Sequence, residues 1–318
     1  MNATIGRVTV ATDGLGNLFL ADREQATIRR VAPNGTITAF AGTGSTALQL
    51  PADGAVPTSV PVVPYSIEAD LQGDVFVASY HTVDPNPSSP VYTAYVAAVA
   101  AGTGRFVRIA GGDPQLAGLA DGQTARTSRL DRPGDLAVDS AGRLVVQDLG
   151  PAIPGGAGPL ARITPVGNDP LVANRYSLGS VEVLATGGGV VQASTPDGVA
   201  STAAGYTPLG MTVNASDQPV FVDNNGGTVP QNVTGENRVR FIADNGCDQV
   251  SLTAGQNATA GGSAVFIGDV PAQRVALAYD QMVTPGRTGF TPGRTGFTPG
   301  RTGFTPGRTG FTPGRTGF

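Results

Sequence analysis

The residues of this chain that could do chemistry are mostly aspartates, and they stand at matched positions. Asp13, Asp70, Asp139 and Asn214 each follow a short apolar run, with Gly16, Gly73, Gly142 and Asp217 three residues later. Oxygen donors repeated in this way suit two tasks: coordination of a calcium-type ion, or acceptance of backbone N–H groups in a tight turn. Asp and Asn side chains bond the backbone a few residues on, so the short Asp-x-x-Gly spacing favours the turn. A second set, Asp22, Asp148 and Asp223, ends the apolar run after each turn, and Ser79 takes that place in the second unit. Units with this Asp carry Arg in the next apolar run (Arg29 and Arg30, Arg162, Arg238 and Arg240), whereas VYTAYVAAVA at 91–100 has none. The pattern predicts structural charge pairs such as Asp148 with Arg162 and Asp223 with Arg238.

Other chemistries are excluded by count. All 20 basic residues are Arg, so there is no lysine for a phosphate loop, a Schiff base or a kinase. One His (His81) and one Cys (Cys247) leave no His- or Cys-rich zinc site and no intrachain disulfide. No apolar stretch approaches the ~18 residues of a membrane-spanning helix. The net charge is −4, but residues 1–283 hold 15 Arg against 24 Asp and Glu, a net of −9. Such an acidic body repels phosphate backbones, which argues against nucleic acid as its partner. The exclusive use of Arg, beside abundant Ala, Gly and Pro, points to a GC-rich bacterial coding sequence.

Those aspartates need strands to hold them. TVATDGLGNLFLAD (9–22), SIEADLQGDVFVAS (66–79), DLAVDSAGRLVVQD (135–148) and GMTVNASDQPVFVD (210–223) align without gaps. Each reads as apolar strand, Gly-containing turn, apolar strand, which is a β-hairpin. A second hairpin follows each: ATIRRVA and TITAFAG flank Pro33-Asn34-Gly35, and NRVRFIA and QVSLTAG flank Asp244-Asn245-Gly246. Each unit is therefore four antiparallel strands, a to d. Each d strand has a Gly-rich exit, and the linkers carry Asp53-Gly54, Asp121-Gly122 and Asp197-Gly198 at 17 or 18 residues before the next aligned Asp or Asn. Four-stranded units in tandem, joined by regular d–a linkers, are the plan of an all-β β-propeller.

These repeats resemble a known family. ATDGLGNLFLADREQATIRRVAPNGTITAFAGTG (11–44) looks like an NHL repeat, as does LAVDSAGRLVVQD (136–148), and the linkers are similar to those of bacterial NHL propellers. The resemblance covers roughly residues 8–283, with units starting near 8, 66, 135 and 210 and the start of a fifth near 280. Six blades are usual in that family. Four imply a propeller truncated at both ends, or one that closes with few blades or by self-association. Residues 284–318 are five copies of TPGRTGF, a low-complexity tail that cannot bury enough surface to order itself. It reads either as a cationic arm or as a sequence expansion.

The resemblance implies an interaction scaffold in most branches and an enzyme in some. The antiparallel order puts the b–c loops and the d–a linkers at one end of the blades. Three long insertions gather there: YHTVDPNPSSP (80–90), LGPAIPGGAGP (149–159) and NNGGTVPQNVTGE (224–236). Loops on a stiff scaffold are where recognition concentrates. The expected function is thus a non-catalytic module holding a protein, peptide or glycan, with His81, Asp84, Tyr92, Asp53, Asp121 and Asp197 on the binding face. No cofactor is expected. The alternative is a calcium-type metal-dependent hydrolase, lactonase or lyase in the central channel, with Glu68 of the innermost strand as its candidate ligand. The segment MNATIGRVTVATDG has neither a basic n-region nor an apolar h-region, so it reads as no signal peptide, while the resemblance implies an extracellular or periplasmic setting.

Overall fold

Apolar runs of five to seven residues, rich in Val, Ile, Leu and Phe and broken by Gly-containing turns, fold here as strands. The structure, a computed structural model, describes residues 6–47, 50–84, 91–150, 158–167, 169, 174–185, 208–224, 237–243 and 249–254. Two compact units divide the chain, Met1–Gly187 and Gly188–Phe318. The fold is all-β. The helical pieces among the described residues are two 3-10 turns, Pro57–Ser59 and Ala125–Thr127.

Three blades make up the first unit. The first is β1 (Val8–Thr12), β2 (Leu18–Asp22), β3 (Thr27–Val31) and β4 (Ile37–Ala41). The second is β5 (Pro64–Ala69), β6 (Val75–Asp84), β7 (Val91–Ala100) and β8 (Arg105–Gly111). The third is β9 (Pro133–Val138), β10 (Leu144–Asp148), β11 (Leu160–Thr164) and β12 (Ser180–Ala185). Each is an antiparallel sheet with its strands in chain order, and β5 lies against both β1 and β9. The a strands therefore stand side by side and the blades radiate from them, which is the propeller arrangement. The second unit holds a fourth sheet of the same order: β13 (Pro208–Val213), β14 (Pro219–Asn224), β15 (Asn237–Ala243) and β16 (Gln249–Ala254). The expected fifth strand and the TPGRTGF tail lie outside the described residues.

Strand alternation divides the core between two blade interfaces. Phe19, Ile28, Ile67, Val77, Tyr95 and Phe106 close the first blade on the second. Phe76, Val96, Ile109, Leu136, Leu144 and Ile163 close the second on the third. Neighbours such as Phe76 and Val77 thus face opposite ways and are both fully buried.

The a–b turns are built as their spacing suggests. Asp13 Oδ1 accepts the N–H groups of Leu15 and Asn17, both at 2.9 Å. Asp70, Asp139 and Asn214 likewise accept the N–H four residues on, at 2.8, 2.8 and 3.0 Å. Three of the turns are also closed by a side chain within the turn: Asn17 donates to Asp13 at 2.7 Å, Arg143 to Asp139 at 2.5 Å, and Asn214 to Gln218 at 2.9 Å. The second blade carries Asp74 at the closing position, and a carboxylate cannot donate.

The missing donor comes from the next blade. Arg175, in the long c–d loop of the third blade, sends Nη2 to Asp70 Oδ2 at 2.9 Å and to Asp74 Oδ2 at 2.7 Å. Its neighbour Tyr176 donates to the Gly142 carbonyl at 2.7 Å and meets Phe76 edge-on at 4.8 Å. Burial and the nearby Asp74 charge push the Asp70 carboxyl up, against the pull of Arg175. The loop is thereby clasped to the neighbouring hairpin.

Candidate functional site

The site is built from the ends of the b strands. Asp22 Oδ1 accepts the Gln25 N–H and Oδ2 the Gly6 N–H, each at 3.0 Å, which shapes the b–c turn that presents Arg23. In the third blade Asp148 accepts the N–H groups of Asp131 (3.0 Å), Arg132 (2.8 Å) and Gly150 (3.0 Å), and so holds the linker segment that carries Arg132. Burial pushes the Asp148 carboxyl up in spite of these three donors. In the second blade Ser79 stands in the same register, opposite Pro64 as Asp148 is opposite Pro133. Its hydroxyl donates to the Val63 carbonyl at 2.9 Å.

In the third blade the expected charge pair between strands b and c is thereby corrected. Val145, not Asp148, lies opposite Arg162, whose Nη1 reaches Glu182 on β12 at 3.2 Å. The aspartate faces backbone donors of the incoming linker because those N–H groups have no ladder partner. With separate partners, Asp148→Ala and Arg162→Ala are expected to add within about 0.5 kcal/mol in urea unfolding. A larger coupling would restore the pair. Asp223 and Arg238 are register partners on β14 and β15, and their side chains lie outside the described set.

Next to these anchors, four side chains from three blades form a row at the b–c/d–a end. Tyr65 follows Pro64 at a register shift of β5, a bulge that re-aims its side chain. Tyr80 follows Ser79 on β6, as Arg23 follows Asp22. The two tyrosine rings lie 4.8 Å apart at 43°. Arg23 sits over Tyr65 at 4.8 Å and over Tyr80 at 5.8 Å. From the other side, Arg132 donates Nε to the Gly150 carbonyl at 2.6 Å and Nη2 to Leu149 at 3.1 Å. Burial, then the charge and hydrogen bond of Tyr65, push the Tyr80 phenol up to about 12, against the pull of Arg23 and Arg132. It therefore stays neutral across the physiological range. The row can offer an aromatic wall, guanidinium donors and a neutral phenol.

Several residues singled out in the sequence have other places. The polar stretch 80–90 is less of a loop than expected: β6 continues to Asp84 and β7 begins at Val91, because Tyr80, Thr82, Val91 and Thr93 suit a ladder. His81 and Asp84 thus lie on β6 and Tyr92 on β7, with their side chains outside the described set. Asp53 and Asp121 prove to be edge devices rather than free binding groups. Asp53 accepts the Arg108 N–H of β8 at 2.9 Å, and Asp121 accepts the Val183 N–H of β12 at 2.5 Å. The adjacent Gly54 and Gly122 donate to Phe106 and Val181. Each linker thereby pairs with the exposed edge of the next blade, which needs those partners. Arg126 clamps Asp53 at 2.9 Å. Burial raises the Asp53 carboxyl, but the Arg108 N–H and Arg126 outweigh that and hold it below its ordinary value. Asp197 lies outside the described residues.

Glu68, on β5 opposite Phe76, accepts the Ala69 N–H at 3.0 Å. Among the described residues no three His, Cys, Asp or Glu side chains gather as a metal-binding group. Arg23, Tyr65, Tyr80, Arg132 and Arg175 were not singled out by sequence reasoning as site residues. For Arg23 and Tyr80 the signal was there, since both occupy the position after the aligned Asp or Ser.

No protein-family model matches the sequence, and no curated protein matches it. Among solved structures, an auxiliary nutrient binding protein from Bacteroides thetaiotaomicron is 11% identical, with a TM-score of 0.47 over 82% of this chain and 50% of its own. A gluconolactonase from Xanthomonas campestris is 13% identical, at 0.40 over 76% and 60%. A virginiamycin B lyase from Staphylococcus aureus is 14% identical, at 0.38 over 77% and 54%. The chain thus spans between half and about three fifths of the length of these structures.

Proposed function

We propose that this chain is a non-catalytic binding module, a propeller of NHL type whose b–c/d–a end holds its ligand on the Arg23–Tyr65–Tyr80–Arg132 row. The observation that supports this reading is the convergence of side chains from three blades, each positioned by a structural device of its own: the Asp22 turn, the Tyr65 bulge and the Asp148 cap. Stiff backbone and stacked aromatics lower the entropy cost of binding, which is the usual advantage of such a surface. A protein, peptide or glycan suits the wall of two tyrosines. The test is an array of glycans and peptides read with the wild-type chain, Tyr80→Ala, and Leu71→Ser at the opposite, a–b end, where Leu71 is exposed. Tyr80→Ala is expected to weaken the wild-type ligand about 30-fold, as for an aromatic hot spot, and Leu71→Ser to leave it unchanged. Equal binding by all three would remove the face from the argument, and lactone turnover lost in Tyr80→Ala would replace the binder with the hydrolase.

A further inference from the structure

We infer that the ligand of this row carries a carboxylate, and that Arg23 is its anchor. The inference rests on the binding reading above and gives it a ligand chemistry. Arg126, Arg129, Arg143, Arg162 and Arg175 each meet an acid within the protein. Arg23 does not: among the described residues no carboxylate lies within salt-bridge distance of it, as is true also of Arg7, Arg29, Arg30 and Arg105, but Arg23 is the one of these held against a tyrosine pair. It rests over the faces of Tyr65 and Tyr80. A guanidinium uses its flat face for such stacking and keeps its N–H donors, which lie in its own plane, for a partner at its edge. That fork fits the two oxygens of a carboxylate, and the charge-assisted pair is stronger than neutral bonds.

Two further features favour an anion. Asp22 spends its two oxygens on the backbone N–H groups of Gly6 and Gln25, so it orients the turn rather than neutralising Arg23. Tyr80 keeps its proton and adds no competing negative charge, and Arg132 bears on the same phenol from the third blade. The tyrosine pair then supplies a wall for whatever apolar ring or chain bears the carboxylate.

Two sources of such a group are a sugar acid and an acidic terminus on an aromatic amino acid. The experiment titrates the full chain with D-glucuronate and with N-acetylphenylalanine, each beside its neutral counterpart, D-glucose and N-acetylphenylalaninamide. Calorimetry gives the affinity and the tyrosine ring resonances give the place. One acid is expected to bind at least about tenfold tighter than its neutral counterpart, to shift Tyr65 and Tyr80, and to weaken as salt is added. Which of the two binds identifies the source. Arg23→Gln is expected to lose about ten- to hundredfold of that affinity, and Arg23→Lys to recover part of it. Equal binding of acid and neutral counterpart overturns the carboxylate while keeping the face. Acid binding that ignores Arg23→Gln, or failure of both acids to move Tyr65 and Tyr80, overturns the anchor, and the array decides the binding reading separately.

Discussion

Arg175→Met is expected to cost about 3–5 kcal/mol of stability, seen as a drop of roughly 10 °C in the melting temperature of the full chain. Arg175, Asp70 and Asp74 are 2%, 1% and 3% exposed, so removing the cation strands two carboxylates away from water. Asp70 keeps the Asp74 and Gln72 N–H groups and a long contact from the Tyr176 hydroxyl at 3.4 Å, and Asp74 keeps the Ala101 N–H, but neither keeps a cation to balance its charge. The other blades show how to relieve this. Asn17 closes the first turn by donating to Asp13, so Asp74→Asn gives the second turn a donor of its own. Arg175→Met in the Asp74→Asn background should therefore cost less than half of its cost in the wild type. The pH dependence has a definite sign. Asp70 has a raised folded pKa, so its protonated form favours the fold, a contribution present below the unfolded value of 3.8 and lost as pH rises through the folded one. Removing Arg175 takes away an influence that lowers this pKa, so the deficit of the variant should shrink between pH 7 and about pH 5. A deficit equal at both pH values would mean that Asp70 is not charged and stranded in the variant.

How much of this was legible depended on whether the information was local. The hairpins and the four-stranded units follow from alternation and turn chemistry within some 15 residues, and all four appear as read. The role of Asp13, Asp70, Asp139 and Asn214 was legible for the same reason, since their acceptors serve N–H groups two to four residues away. Asp53 and Asp121 were not: their partners lie 55 and 62 residues on, and a linker aspartate looks the same whether it caps an edge strand or faces solvent. In the third blade the b–c charge pair failed because matched charges on adjacent strands do not define a register, and β10 sets Val145 rather than Asp148 opposite Arg162. The candidate row was half visible. Arg23 and Tyr80 share an aligned position, but the bulge that turns Tyr65 toward them is a register shift that sequence alone does not display. Asp74 was the neglected clue, the one turn-closing residue of the four that cannot donate.

Gly111→Ala should be nearly as damaging, at about 3–4 kcal/mol. Every d strand contains a register shift one residue before its closing Ala, at Phe40, Ile109, Leu184 and Thr253. The chain must then leave the sheet at once, and Gly111, the last residue of β8 and opposite Tyr95, makes that exit at φ +79, with its N–H donated to the Ser128 carbonyl at 2.9 Å. A methyl group there would fall on the Ala94 carbonyl oxygen and within 2.9 Å of Tyr95 Cα. Both are backbone atoms of β7, so neither can swing aside. Gly42 meets the same situation at Ala26 and Thr27 in the first blade, which marks the close approach as part of the repeat. Gly104, at the c–d turn, has φ +63, and a methyl group added there would meet nothing within 4 Å. Gly104→Ala should therefore cost only about 1 kcal/mol, for the left-handed backbone alone. The difference between the two variants in urea unfolding isolates the contact with β7 from the backbone conformation. Equal losses would mean that the strand exit moves aside. The linker would then be held by Asp121 on β12 and by the Arg126–Asp53 pair rather than by the close passage at Gly111.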